Sequence, residues 1–326
     1  MQQHPLGKLW SVSRLTLGGG GLGQIWGETS RKEAVATVRA AVDAGINLFD
    51  LAPGYGRGEA EAVIGDAFQG DPDPGLRFTT KCQLGSPPAG EIESQMRRRL
   101  ERSLSAMQLE RVDLYFLHSN IVPDDYRFPD PEITPEVQSR FATTWTRYVE
   151  EVIPAFEALV ADGLIGAWGI TGTGLPETIL DALQYEKKPS VVQAIANCLD
   201  SPGGIRRYAE DPQARNIITA AVRQNVGVLG IRAVQAGALT DQLDRELPRN
   251  HPESQDFRRA APLRNLAAEL GISTAYLAHA YALSMPGVDS VVLGVKNRTE
   301  LAECVAAEAA SPLSQELIDR IDGLFN

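Results

Sequence analysis

Short runs of Val, Ile, Leu and Phe recur along the chain, and helical apolar stripes follow them. The runs predict strands at Arg14–Gly18, Ile46–Asp50, Arg77–Lys81, Val112–His118, Ile165–Thr171, Ser190–Ala194, Val226–Ile231 and Val288–Leu293. They are continuous rather than alternating, as in strands covered on both faces. Ser30 and Glu33 spell a capping box, after which Ala34, Val35, Val38, Ala41 and Val42 form a helical stripe that Gly45 ends. A second stripe, Ile92, Met96, Leu100 and Leu104, predicts a helix from Glu91 to Met107. The interleaved Arg97, Arg98, Arg99 and Arg102 read as a solvated face rather than a nucleic-acid surface. Further helices are expected over 145–162, 176–186, 212–224, 258–270, 274–284 and 298–309, with a tail helix over 314–325.

This alternation, unbroken in composition, predicts one domain spanning residues 1–326: a (β/α)8 TIM barrel with a C-terminal extra helix. An open doubly wound sheet is the alternative. Gly18 to Gly23 contains its G-x-G-x-x-G fingerprint, but a lone match is weak and no helix is expected to start right after it. Residues 4–13 are expected to form a hairpin or loop closing the barrel bottom. The connections 119–143 and 232–256 are long and leave the carboxyl ends of strands, the face where barrels hold their sites, so both are expected to shape a pocket.

Composition narrows the chemistry. A chain of 326 residues with 43% hydrophobic and 22% charged side chains has the make-up of a globular protein with a sizeable core. It contains no apolar stretch of the ~20 residues a membrane helix needs, and its first residues lack a signal-peptide pattern. A net charge of −11 argues against nucleic acid or an anionic membrane as partner, so any phosphate site must be a local basic cluster. Cys82, Cys198 and Cys304 are scattered, as are His4, His118, His251 and His279, and none has metal-ligand spacing. No metal is expected, and reduced thiols in the cytoplasm are the simplest reading. Oligomeric state is not legible.

Four ionisable residues stand at or just past strand ends: Asp50, Tyr55 five residues on, Lys81 and His118. Singly each has an ordinary reading, as a turn tyrosine, a solvent-reaching lysine or a core histidine. Their convergence on one rim of a barrel is what singles them out. The stretch Asn47-Leu48-Phe49-Asp50-Leu51-Ala52-Pro53-Gly54-Tyr55-Gly56-Arg57-Gly58-Glu59-Ala60-Glu61 resembles the signature of the aldo-keto reductase superfamily, with Leu51 where the family usually has Thr.

The resemblance implies an enzyme that passes hydride between NADP(H) and an aldehyde, ketone or sugar carbonyl. Carbonyl reduction builds negative charge on oxygen and so needs a proton donor and a polarising neighbour. Tyr55 would be the general acid. Lys81 would lower the phenol's pKa, Asp50 would hold Lys81, and His118 would orient the carbonyl. For the cofactor the resemblance implies Gln193, Glu303 and a hydroxyl from Thr171, where the family's Ser-Asn pair reads Thr171-Gly172 and its Asn after Glu303 reads Cys304. Ile231 and Arg232 stand where many members carry a stacking aromatic. Ile231 could pack on the nicotinamide and Arg232 reach the pyrophosphate. Gly19, Gly20 and Asp50 count among the expected cofactor contacts. Beyond Gly294, Lys296 and Arg298 are the expected partners of an adenosine 2′-phosphate at a helix N-terminus, with Asn297 as N-cap and Glu300 turning back to cap.

Trp26 and Asn120, with Tyr55 and His118, are expected to face a small carbonyl or aldose substrate. The polar loop carrying Asp124, Asp125, Tyr126 and Arg127 favours a hydroxylated or charged one. Two rivals stay open: a nucleotide-binding redox sensor of the same fold, and a Schiff-base lyase using Lys81.

Overall fold

The computed structural model describes residues 1–310 and 312–325. Eight parallel strands close a barrel in chain order: β1 Leu15–Gly18, β2 Leu48–Asp50, β3 Arg77–Cys82, β4 Val112–Leu117, β5 Ile165–Thr171, β6 Val191–Ile195, β7 Gly227–Ile231 and β8 Ser290–Leu293. Each lies within two residues of a predicted strand, and β8 pairs with β1 through Val291↔Leu15, so the open-sheet alternative falls.

Strand parity decides which residues can meet. Successive side chains point to opposite faces, so residues two apart share one. Leu48, Leu114, Phe116, Val191 and Leu229 fill the barrel interior together with Leu6 and Val12. The same parity carries Asp50, Lys81, His118, Gln193 and Ile231 inward, one or two steps further towards the carboxyl ends. The intervening Phe49, Phe78, Tyr115 and Leu117 face the surrounding helices in the main core. Leu6 and Val12 come from a hairpin, Gln3–Pro5 with Ser11–Ser13, which closes the barrel bottom as expected.

The helices follow the predicted stripes with several differences. Residues Glu59–Phe68 form a helix that the sequence reading does not name; it buries Ala60, Val63, Ile64 and Ala67. The segment 145–162 is interrupted by a π-helical turn, Tyr148–Val152. The expected 258–270 helix is two, Pro252–Arg259 and Ala261–Leu270, with Pro262 at the start of the second. A single helical turn, Gly19–Leu22, does follow β1, contrary to expectation. In the capping box, Ser30 accepts the Glu33 N–H, but the Glu33 carboxylate does not return to Ser30; it binds Arg298 instead.

Among the described residues no helix is long and apolar enough to cross a membrane, and no His, Cys, Asp and Glu group has metal-binding geometry.

Candidate active site

The carboxyl ends of the strands open into a cavity of about 770 Å³, within the range of small-molecule sites. Both long connections line it. The loop after β4 does so only through Asn120 and Phe141, so that Asp124, Asp125, Tyr126 and Arg127, contrary to expectation, do not. The loop after β7 does so through most of residues 233–245.

At the floor, Asp50 is a hub. Its Oδ2 accepts from Lys81 Nζ at 2.7 Å, and its Oδ1 accepts from Thr79 Oγ1 at 2.7 Å and Gln193 Nε2 at 2.8 Å. Lys81 also donates to the Leu51 carbonyl at 2.8 Å, and its ammonium lies 4.7 Å from the centre of the Tyr55 ring. The Lys81 side chain has no exposure at all. It stands behind Asp50 and Tyr55, which line the cavity while Lys81 does not.

Burial alone would lower the Lys81 pKa, but Asp50 and Tyr55 outweigh it, and the ammonium is held above its ordinary value. Tyr55 departs from the sequence expectation. Burial raises the phenol's pKa above the usual tyrosine value, and the opposing pull of Lys81 does not overcome it, with Asp50 adding to the rise. The phenol is therefore firmly protonated at neutral pH. His118, half-buried, is pushed down to about 4 by burial and by Lys81, against Asp50, so its imidazole is neutral at pH 7.

Most of the sequence-predicted residues line this one cavity: Gly19, Gly20, Trp26, Asn120, Thr171, Gln193, Ile231, Arg232, Gly294, Lys296 and Glu303. Gly172 has a local cause, since a Cβ there would lie 2.7 Å from the Gln193 carbonyl oxygen. The backbone approach between β5 and β6 thus excludes the asparagine that the resemblance would place at this point.

Three basic residues are engaged differently from expectation. Arg232 lines the cavity, but its guanidinium is buried in an ion pair with Glu253 at 2.7 Å and donates to Gln235, so those donors are committed inside the loop. Arg298 does not line the cavity; Glu33 holds it through Nε at 3.0 Å and Nη2 at 2.9 Å. Lys296 does line it but pairs with Asp244 at 2.5 Å. Asn297 caps the helix Arg298–Ala309 through the Glu300 N–H, as expected. Glu300 does turn back, though onto the Lys296 N–H at 2.8 Å.

Sequence reasoning missed Gln83, Phe141 and Arg207 on one wall, and Asp241, Asp244 and His279 on the other. The long loops flagged the region, but which side chains turn inward depends on contacts between loops.

The closed parallel barrel thus sets a buried Asp–Lys pair beneath a protonated phenol at the floor of this cavity. The Aldo/keto reductase family model matches residues 14–326, and the chain belongs to that family. It is 26% identical over 321 residues to L-galactose dehydrogenase of Arabidopsis thaliana, covering 96% of this chain and 91% of that protein. It is 27% identical over 321 residues to a probable voltage-gated potassium channel subunit beta of Oryza sativa subsp. japonica, covering 90% and 87%. The fold matches the holo form of an aldo-keto reductase from Bacillus halodurans with a TM-score of 0.70 at 21% identity, covering 99% and 96% of the two chains. The chain is thus an oxidoreductase of a family that uses nicotinamide cofactors on small-molecule substrates.

Proposed function

We infer that this chain is an NADP(H)-dependent reductase of aldehydes, ketones or sugar carbonyls, with Tyr55 as general acid and base. The observation that carries this reading is the buried Lys81–Asp50 pair set against the Tyr55 ring at the floor of the cavity. A nicotinamide held in this cavity would supply the hydride. Tyr55 Oη donates the proton to the carbonyl oxygen as charge develops there. Lys81 stabilises the phenolate that remains, and Asp50, itself fixed by Thr79 and Gln193, keeps Lys81 charged and in place. Neutral His118 hydrogen-bonds the same oxygen and sets its position without competing for the proton.

Thr171, Gln193, Ile231, Gly294 and Glu303, with Gly19 and Gly20, form the walls suited to hold the dinucleotide. The preference for NADP(H) rests on Lys296 at the cavity edge, with Arg298 and the helix N-terminus beside it. A Schiff-base reading is disfavoured, because Lys81 is charged and shielded from the cavity.

The deciding experiment is a cofactor-consumption screen over aldehydes, ketones and aldoses with NADPH and NADH. Turnover that collapses in Tyr55→Phe supports the assignment. Nucleotide binding without turnover of any carbonyl would shift the reading to a nucleotide-sensing role.

A further inference from the structure

The charged side chains lining the cavity divide into two groups. Asp241 accepts from Thr274, Asp244 pairs with Lys296 and Arg245, Glu300 accepts the Lys296 N–H, Glu303 accepts from Ser273, and Arg232 pairs with Glu253. Arg207 alone has no hydrogen-bond or ion-pair partner among the described residues. Its guanidinium sits 4.5 Å from the centre of the Phe141 ring. Phe141 belongs to the loop after β4, where its carbonyl accepts the Asn120 N–H at 2.8 Å, two residues past His118. Arg207, exposed at the cavity rim, thus stands on the wall that Phe141 and the loop after β4 form, while the cavity's carboxylates, apart from Asp50 in the floor, lie in the segments after β7 and β8.

The turn that precedes Arg207 is held by hydrogen bonds. Buried Asn197 accepts the Leu199 and Ser201 N–H groups, and Glu253 accepts the Gly204 N–H at 3.0 Å. Neighbouring Arg206 turns back onto the carbonyls of Tyr208, Ala209 and Glu210, whereas Arg207 turns to Phe141 and the cavity. Stacking on a ring uses the face of a guanidinium and leaves its N–H donors free at the edge. Those donors match a planar or tetrahedral oxyanion in the bidentate manner that makes such contacts strong. On a chain of net charge −11, anions gain nothing from the overall field, so an anionic ligand needs such a local contact.

We propose that the carbonyl substrate carries an anionic group, a carboxylate or a phosphate ester, which Arg207 binds at the cavity wall while the carbonyl meets Tyr55 and His118. The proposal rests on the reductase reading of the same site. It is tested with matched pairs: succinate semialdehyde against its methyl ester, and glyceraldehyde 3-phosphate against glyceraldehyde, which separate carboxylate from phosphate. The wild type should favour one anionic member in kcat/KM by about 10- to 100-fold, the worth of one charged hydrogen-bonded contact. Arg207→Leu should abolish that preference chiefly through KM, and Arg207→Lys should restore part of it, which a loss of folding would not allow. Equal rates on both members of both pairs in the wild type, or an equal loss on charged and neutral members in Arg207→Leu, would overturn it. If neither pair is turned over with either nucleotide, the reductase reading fails on its own. Calorimetric titration with succinate then decides the anion site: heat lost in Arg207→Leu supports it, and equal heat in both proteins overturns it.

Discussion

A half-buried, neutral histidine makes the stability of this protein depend on pH in a way that one substitution should expose. His118 falls from the ordinary 6.5 to about 4 in the folded chain. Once unfolded it regains its ordinary affinity for protons. As pH drops below 6.5 the unfolded state takes up a proton that the folded state refuses, so stability falls until the folded group also protonates near 4. At about 1.4 kcal/mol per pH unit, the full gap amounts to roughly 3 kcal/mol lost across that window, a large part of the stability of an ordinary domain. His279 is buried and lowered too, and contributes a loss of the same sign. The comparison must therefore be differential.

Urea unfolding of the wild type and of His118→Asn at intervals from pH 7.5 to 4.5 isolates the residue. The wild type should lose stability more steeply than the variant as pH falls, because only the wild type carries the His118 linkage. Stabilities that decline in parallel would mean that His118 titrates normally in the folded protein, and the neutral orienting role would fall with it. The same shift predicts that kcat/KM for reduction shows no inflection near pH 6.5, which a steady-state pH profile reads directly.

Tyr55→Phe should keep the fold and nucleotide binding while losing reductase activity by ~100- to 10,000-fold, the usual range for a general acid; near-normal turnover with chemistry rate-limiting removes the assignment. Because the Tyr55 pKa is already raised, reduction should stay flat through neutral pH, and alcohol oxidation, which needs the phenolate, should rise only on the alkaline side. Lys81→Met should move that alkaline limb still higher, since the one group pulling the phenol's pKa down is gone, and an unmoved limb refutes the coupling. Replacing Lys296 and Arg298 together by Ala should weaken NADPH binding in a fluorescence titration and leave NADH nearly unchanged; equal losses for both nucleotides would move the phosphate site elsewhere. Glu33→Gln should strengthen NADPH alone, because it releases the Arg298 guanidinium.

The parts of this molecule that were legible from sequence are those fixed by local rules. Strand runs and parity place Asp50, Lys81 and His118 on the inner rim whatever the loops do, and these residues stand where the pattern puts them. The helix at Glu59–Phe68 escaped because Gly54, Gly56 and Gly58 just before it read as a loop and its stripe is short. Partner choice was not legible. Ser30 and Glu33 satisfy a capping pattern, yet Arg298, 265 residues away, takes the Glu33 carboxylate. A bidentate pair with a guanidinium outcompetes one backbone N–H that water can satisfy at an exposed helix start. Arg232 likewise reads as a free strand-end cation until Glu253, two elements further on, is folded beside it. The Tyr55 pKa went the other way for a related reason: the lysine's pull could be foreseen from spacing, but the depth of the phenol could not.

The two halves of the proposed chemistry sit in different electrostatic settings, and this bears on which of them can vary. The Lys81–Asp50 pair is 0% and 3% exposed, so salt and surface charge scarcely reach it, and removing either partner strands the other in the core. The cations proposed to select the nucleotide are closer to the surface: Arg298 is 60% exposed against Glu33, and Lys296 is 19% exposed against a 38% exposed Asp244. Exposed pairs of this kind contribute little each. A 2′-phosphate would thus exchange one set of weak, screened contacts for another, and its advantage comes from carrying more charge than a carboxylate and from the helix N-terminus beside it. Preference for NADPH over NADH is then a small difference between competing ion pairs. It should narrow as salt rises from low to physiological strength, while the rate of the chemical step at saturating cofactor stays constant. A nucleotide preference indifferent to salt would require a buried phosphate contact, which Lys296 and Arg298 as placed do not provide.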